Sequence, residues 1–242
     1  MKLNDRVVVI TGASKGIGRA TALLFAKEGA AVVLGARSGE ALDDLAHRIK
    51  ESGGRAVSVA SDLSTREGVD RLFDVTEETF GGCDVLVNNA GRGIYGYVED
   101  GDPEDWRIML DLNVFGLVAA TKRAVRSMKR RGGGHVVNVS SVAGRIGIEG
   151  VAVYCATKFA VVGFSEALRR EVQGDGIRVT VIEPGSVDTE WGEKLPREWT
   201  EGKAAMGPLT AEEVADAILY VVKQPDNVSI GELLMRPTRQ KN

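Results

Sequence analysis

Cysteine and histidine are scarce: two of each stand among 242 residues. Cys83 and Cys155 lie far apart, so the chain offers neither a disulfide framework nor a paired-cysteine metal motif, and a reducing cytoplasmic setting is expected. His47 and His135 belong to no spaced cluster with carboxylates or thiols, and no metal is expected. An excess of positive charge is missing too. Lys and Arg number 31 against 34 Asp and Glu, a net charge of −3. A chain without clustered cations is a poor polyanion binder, so nucleic acid is not an expected partner. No apolar run approaches the ~20 residues of a membrane span, and no membrane association is expected. Met1 to Arg6 leads straight into a four-residue apolar run, without the longer stretch of a secretory signal. Neither a repeat of ~20 to 50 residues nor a low-complexity tract interrupts the chain.

What is present is a balance of 43% hydrophobic and 27% charged residues, ample for a core. The length suits one open α/β sheet. Short Val/Ile/Ala-rich runs alternate with segments whose apolar residues recur at helical spacing, the pattern of βαβ units around a parallel sheet. Strands are expected at Val7–Thr11, Ala31–Leu34, Ala56–Ala60, Val85–Asn88, His135–Ser140, Arg178–Glu183 and near Glu232–Met235. Their continuous apolar character predicts cover on both faces.

Helix signals fall between them. Ile17, Ala20, Thr21, Leu24 and Phe25 form one stripe, and Leu42, Leu45 and Ile49 another, with Gly29 and Gly53 at expected stops. Ser64-Thr65-Arg66-Glu67 and Thr210-Ala211-Glu212-Glu213 both match a capping box. Asp102-Pro103-Glu104-Asp105 opens a helix that should reach about Arg131, with an irregularity near Gly116. Arg126, Lys129, Arg130 and Arg131 crowd its far end, where exposed carbonyls favour cations. The stretch 186–208, with Trp191, Trp199 and Met206, suits a lid over a site.

Thr11-Gly12-Ala13-Ser14-Lys15-Gly16-Ile17-Gly18 ends the first strand and begins the first helix. Glycines there let the backbone turn tightly and approach a pyrophosphate, and the helix N-terminus supplies N–H donors. The spacing is GxxxGxG. These eight residues resemble the nucleotide-binding turn of the short-chain dehydrogenase/reductase family, and the resemblance extends through nearly the whole chain.

That resemblance implies a single doubly wound Rossmann-like α/β domain over residues 1–242, with about seven parallel strands and helices on both faces. It implies that Gly12, Ser14, Lys15, Gly16, Ile17 and Gly18 cradle the cofactor phosphates. Asn88-Asn89-Ala90-Gly91 matches the family's NNAG, which puts Asn89, Ala90 and Gly91 along the adenosine side, and Asp62-Leu63 matches the pair that touches adenine. Pro184, Gly185, Val187 and Thr189 match the PGxVxT segment that meets the nicotinamide carboxamide. At the end of the second strand an acid would accept from the ribose hydroxyls of NAD and repel a 2′-phosphate. By alignment to the family pattern Ala36 holds that place and Arg37 follows it, with Lys15 as a second cation, so NADP is the expected cofactor.

Tyr154 and Lys158 stand four apart at an expected helix start, hence on one face. Thirteen residues earlier, Ser141 closes a strand before Val142-Ala143-Gly144. The arrangement is similar to the family's SSxAG and YxxxK motifs. A phenol with a reference pKa of ~10 exchanges protons poorly near neutrality, and a nearby ammonium lowers it. The resemblance implies that Tyr154 is the acid in reduction and base in oxidation. Lys158 then tunes Tyr154 and binds the nicotinamide ribose, and Ser141 steadies the substrate oxygen. Asn113 in Leu112-Asn113-Val114 matches a fourth position, whose amide helps hold a water linking Lys158 to solvent. Ser140 is passed over because the family serine directly precedes the VAG-like triplet, and Cys155 is expected to pack only.

The expected function is an NADP(H)-dependent oxidoreductase acting on a small carbonyl or secondary alcohol. The alternative is a catalytically silent NADP-binding regulator on the same scaffold, since fold alone never proves catalysis. Trp191, Trp199, Ile94, Tyr95, Ile146 and Ile148 suit an apolar substrate pocket, whereas Arg92, Arg145 and Glu149 would select a charged group. The tail Gly231-Glu232-Leu233-Leu234-Met235-Arg236-Pro237-Thr238 resembles a GELLxRPT ending found in a subset of the family. Family members assemble as dimers or tetramers, so a homo-oligomer, of up to four subunits, is implied.

Overall fold

The apolar runs become seven strands because each carries side chains that bury on both sides of a sheet. In the computed structural model, residues 3–192 and 194–241 are described; Met1, Lys2, Glu193 and Asn242 lie outside the described residues, so the N-terminal reading, the 186–208 segment and the 1–242 domain each extend past them. The strands are β1 (Val7–Thr11), β2 (Ala31–Ala36), β3 (Arg55–Ala60), β4 (Val85–Asn88), β5 (Gly134–Val139), β6 (Ile177–Pro184) and β7 (Glu232–Met235). They lie in the order β3-β2-β1-β4-β5-β6-β7, and every pairing is parallel. β2, β3, β5 and β6 differ from their expected limits by one or two residues at one or both ends, where pairing with the neighbouring strand, not composition, decides the boundary.

Alternation along β1 shows why both faces are apolar. Val8 and Ile10 join a cluster with Phe25, Leu42, Leu45 and Ile218, whereas Val7 and Val9 join Leu72, Phe73, Met128 and Leu168. One face is therefore covered by helices α1 (Gly16–Lys27), α2 (Gly39–Glu51) and, late in the chain, Ala211–Lys223. The other is covered by α3 (Arg66–Phe80) and, after α4 (Pro103–Leu110), by α5 (Leu117–Arg131) and α6 (Ala152–Val172). The chain then forms α7 (Arg197–Met206) and α8 (Ala211–Lys223). No helix of the described residues is long and apolar enough to cross a membrane.

The caps mostly follow the sequence. Asp102 caps α4 through Glu104 N–H, with proline in the first turn, and Thr210 makes the complete capping box of α8. At α3 the expected box is displaced: Thr65, not Ser64, is the cap and accepts from Gly68 N–H. Ser64 is instead drawn to Asp62, whose Oδ1 accepts from both its N–H and its hydroxyl. The expected long helix 102–131 is interrupted by a π-helical turn at Asp111–Gly116, which carries Asn113. Gly116 belongs there because a Cβ would meet the Leu63 carbonyl oxygen at 2.1 Å. Three of the cations at the end of α5 hold acids: Arg131, together with Arg6 from just before β1, brackets buried Asp84, Arg130 pairs with Glu77 and Lys129 with Asp175.

Candidate active site

Chain order reverses between β1 and β4, and the carboxyl ends of the strands open there into a cleft of about 1190 Å³. At its floor the glycine turn is shaped by backbone contact. Gly12 has φ +68°, and a Cβ on it would lie 2.9 Å from Ala90 Cα. A Cβ on Gly18 would lie 2.3 Å from the Gly12 carbonyl oxygen. Both positions therefore exclude any larger residue. Asn89 holds the turn by donating from Nδ2 to the carbonyls of Thr11 and Gly12, at 3.1 and 3.2 Å. The Thr11 hydroxyl accepts from Asn89 and Ala90 N–H, each at 3.0 Å. Thr11 thus supports the site, a role its position at the strand end did not announce.

The nucleotide residues expected from sequence line this cleft: Gly12, Ser14, Lys15, Gly16, Ile17, Arg37, Asp62, Leu63, Asn89, Ala90, Gly91, Pro184, Gly185, Val187 and Thr189. Gly18 lies behind, within α1. At the β2 end, Ala36 is buried and Arg37 exposed. The Asp62 carboxyl is held below its usual range by the Ser64 hydroxyl and N–H, and further by the Arg37 guanidinium. Lys15 departs from the simplest expectation, because its ammonium ion-pairs with Glu190 at 2.9 Å on the exposed rim. Arg37 stands exposed at the β2 end of the cleft.

At the other end stand the groups expected to carry chemistry. Ser141 follows β5, and Tyr154 and Lys158 lie on the first turns of α6. Burial pushes the Tyr154 phenol well above its ordinary value, against the pull of hydrogen bonds from Ser141 and the Trp191 indole. Burial lowers Lys158 to about 8. Its Nζ lies 5.6 Å from the Tyr154 ring centroid and donates to the Val139 carbonyl at 2.9 Å. The depressed phenol expected from a neighbouring ammonium is absent in this state because desolvation outweighs a charge at that distance. Ser140 is turned into the fold, where its hydroxyl donates to the Lys158 carbonyl at 3.1 Å.

Asn113 comes to the same place from the π-helical turn. Its Nδ2 donates to the Arg92 carbonyl at 2.8 Å and the Thr157 hydroxyl at 3.0 Å, and its Oδ1 accepts from Arg92 N–H at 2.8 Å. The amide is thus largely committed to clamping the loop after β4 onto α6. Gly91 lies beside both groups: a Cβ there would make ordinary contacts, 3.4 Å from Asn113 Oδ1 and 3.6 Å from Lys158 Nζ.

Of the residues expected to form a substrate pocket, Trp191, Trp199, Ile146, Ile148 and Arg92 line the cleft. Ile94 and Tyr95 pack behind it in a cluster with Met109, Val151 and Tyr154. Two expected charge selectors are engaged elsewhere. Arg145 donates to both oxygens of Glu183, at 2.6 and 2.9 Å, and to Glu232. Glu149 accepts from the Tyr97 hydroxyl. The distant carboxylates that capture Arg145 had no sequence signal, since they lie 38 and 87 residues away. Cys155 receives the Ile148 N–H at 3.4 Å, in keeping with a packing role.

Comparison with known proteins adds an independent line. Residues 6–199 match the model of the short chain dehydrogenase family. An uncharacterized oxidoreductase of Staphylococcus aureus (strain USA300) is 34% identical over 240 residues, covering 97% of this chain and 98% of its own. The solved L-sorbose reductase of Gluconobacter frateurii, complexed with NADPH and L-sorbose, superposes with a TM-score of 0.89 at 32% identity over 100% of both chains. The alcohol dehydrogenase of Thermococcus sibiricus, complexed with 5-hydroxy-NADP, gives 0.88 at 32% identity over 98% of both.

Proposed function

The chain belongs to the short chain dehydrogenase family, and from that premise we propose that it is an NADP(H)-dependent oxidoreductase acting on a small carbonyl or secondary alcohol. The observation that carries this reading is the convergence of Ser141, Tyr154 and Lys158 at one end of a cleft whose other end is a glycine turn beside Arg37. The turn fits a dinucleotide, since Gly12 and Gly18 leave room where a Cβ would collide with backbone and the N-terminus of α1 favours phosphate. Ala36 contributes no carboxylate against a 2′-phosphate.

The nicotinamide, when bound, donates or accepts the hydride. The Tyr154 phenol gives its proton to the carbonyl oxygen in reduction and retrieves one in oxidation. The Ser141 hydroxyl supports the same oxygen. The Lys158 ammonium stabilises negative charge on the phenol oxygen. Asn113 positions these groups by joining Arg92 to Thr157. The buried, unpaired Cys83 and Cys155 suit a reducing cytoplasm.

Titration with NADPH and NADH, followed by oxidation of each against aldehydes, ketones and keto acids, tests the reading. NADPH binding with turnover supports it, whereas binding without turnover across a broad panel favours the silent regulator. Arg37→Ala is expected to weaken NADPH by ~1.5–3 kcal/mol and NADH little, as a charge-assisted bond to the 2′-phosphate requires. Equal losses for both cofactors would remove Arg37 from that role.

The same proposal includes a homo-oligomer of two or four subunits. Phe115, Val118 and Phe159 are exposed on the neighbouring π-helical turn, α5 and α6, while Tyr220 and Leu234 are exposed on α8 and β7. Apolar patches of this kind are typically covered. Phe115→Arg combined with Phe159→Arg is expected to reduce the assembly by half or more in mass by light scattering, with secondary structure retained. An unchanged mass would exclude that face.

A further inference from the structure

We propose that Trp191 plugs the substrate end of the cleft and that its displacement opens a slot for an uncharged, planar aromatic ketone or aldehyde. The inference rests on the reading of this site as a carbonyl-reducing centre and narrows its substrate class. The Trp191 indole lies 4.9 Å from the Tyr154 ring, centroid to centroid, at an interplanar angle of 56°. The indole is close enough to the phenol to pull on its proton. A substrate carbonyl must approach that same phenol, so indole and substrate compete for the space over the Tyr154 ring.

The shape of the plug indicates what replaces it. A Cβ on Gly93 would come 2.3 Å from the benzo ring of Trp191. The glycine therefore keeps a niche in which a flat ring rests against bare backbone. The cluster around it is apolar, with Ile94, Met109, Val151 and Tyr154 buried and Ile148 and Trp199 packed against them. Of the three expected charge selectors, Arg145 and Glu149 are bound to Glu183 and Glu232 and to Tyr97, and Arg92 is the one that lines the cleft. A planar apolar carbonyl compound can occupy the niche and present its oxygen to Tyr154 and Ser141.

Trp191 is also placed to move. Backbone bonds tie Asp188 to Leu209, and Lys203 holds the Thr189 carbonyl at 3.0 Å. The next residue, Glu190, makes an exposed ion pair, and Gly192, on the far side of Trp191, adopts φ +95°. A binding state that is only fractionally populated weakens the apparent affinity by that fraction. Loss of an aromatic pair of this kind implies a penalty of several-fold, up to about tenfold.

Calorimetric titration with 2-acetylnaphthalene, with and without NADP+, tests the plug without relying on turnover. Trp191→Ala is expected to tighten binding several-fold, up to about tenfold. Trp191→Phe, which keeps a smaller ring in the same place, should tighten it less. NADP+ affinity should stay within about twofold in both. Unchanged or weaker binding of the ketone in Trp191→Ala would overturn the proposal, because a wall that stacks on the substrate behaves that way. So would tighter binding of pyruvate than of the planar ketone by the wild-type protein. If Trp191→Ala fails to fold, the phenylalanine variant decides by the same sign. Ketone binding that responds as expected without NADPH oxidation would defeat the reductase reading and leave the plug standing; oxidation of NADPH with no tightening would do the reverse.

Discussion

Replacing Tyr154 by phenylalanine is expected to lower carbonyl reduction at least ~100-fold while leaving NADPH affinity within a few-fold of wild type. The ring stays, so packing against Met109, Val151 and Trp191 is retained; the proton is lost. Burial keeps the phenol protonated well above neutrality, so reduction needs no prior titration of Tyr154 near pH 7. Lys158 titrates first, at about 8. Its ammonium is present below that value and lost above it. Reduction should therefore hold a plateau on the acid side and decline as pH rises through about 8. Near-normal turnover in Tyr154→Phe, or a rate that rises through that window, would exclude this mechanism.

Arg145→Met is expected to cost ~3–5 kcal/mol of stability, because it strands Glu183, whose side chain is fully buried at the end of β6. For a chain of this size that corresponds to a midpoint lowered by about 10 °C. Adding Glu183→Gln should restore part of the loss, since the uncompensated charge is then gone. The pair also joins the turn after Ser141 to the strand whose Pro184 carbonyl accepts from the Ser141 hydroxyl at 3.4 Å. Turnover of the single variant should fall further than its folded fraction. Thermal unfolding that shifts by less than ~2 °C would show that Arg145 carries no such weight.

The displaced cap at α3 illustrates how far local pattern reaches. Either Ser64 or Thr65 can cap a helix; the choice fell to Thr65 because Asp62, fixed at the end of β3, captures Ser64. At Gly116 the reverse held, and an irregularity expected from one glycine proved to be a full π-helical turn that presents Asn113 to α6. Lys15 shows the same limit in charge. The sequence identified a cation in the glycine turn, but its partner, Glu190, comes from the other end of the chain.

By itself, the sequence determined the parallel seven-stranded sheet, the glycine turn and the spacing that puts Tyr154 and Lys158 on one helix face. Each of these depends on periodicity or on neighbours a few residues away. Only the tertiary structure decided that Arg145 braces Glu183 instead of facing a substrate, that Asn113 clamps Arg92 to Thr157, and that Trp191 covers Tyr154. Those contacts join residues separated by 21 to 44 positions. Their partners are selected by which strand ends and loops the folded sheet brings together, and no local propensity encodes that choice.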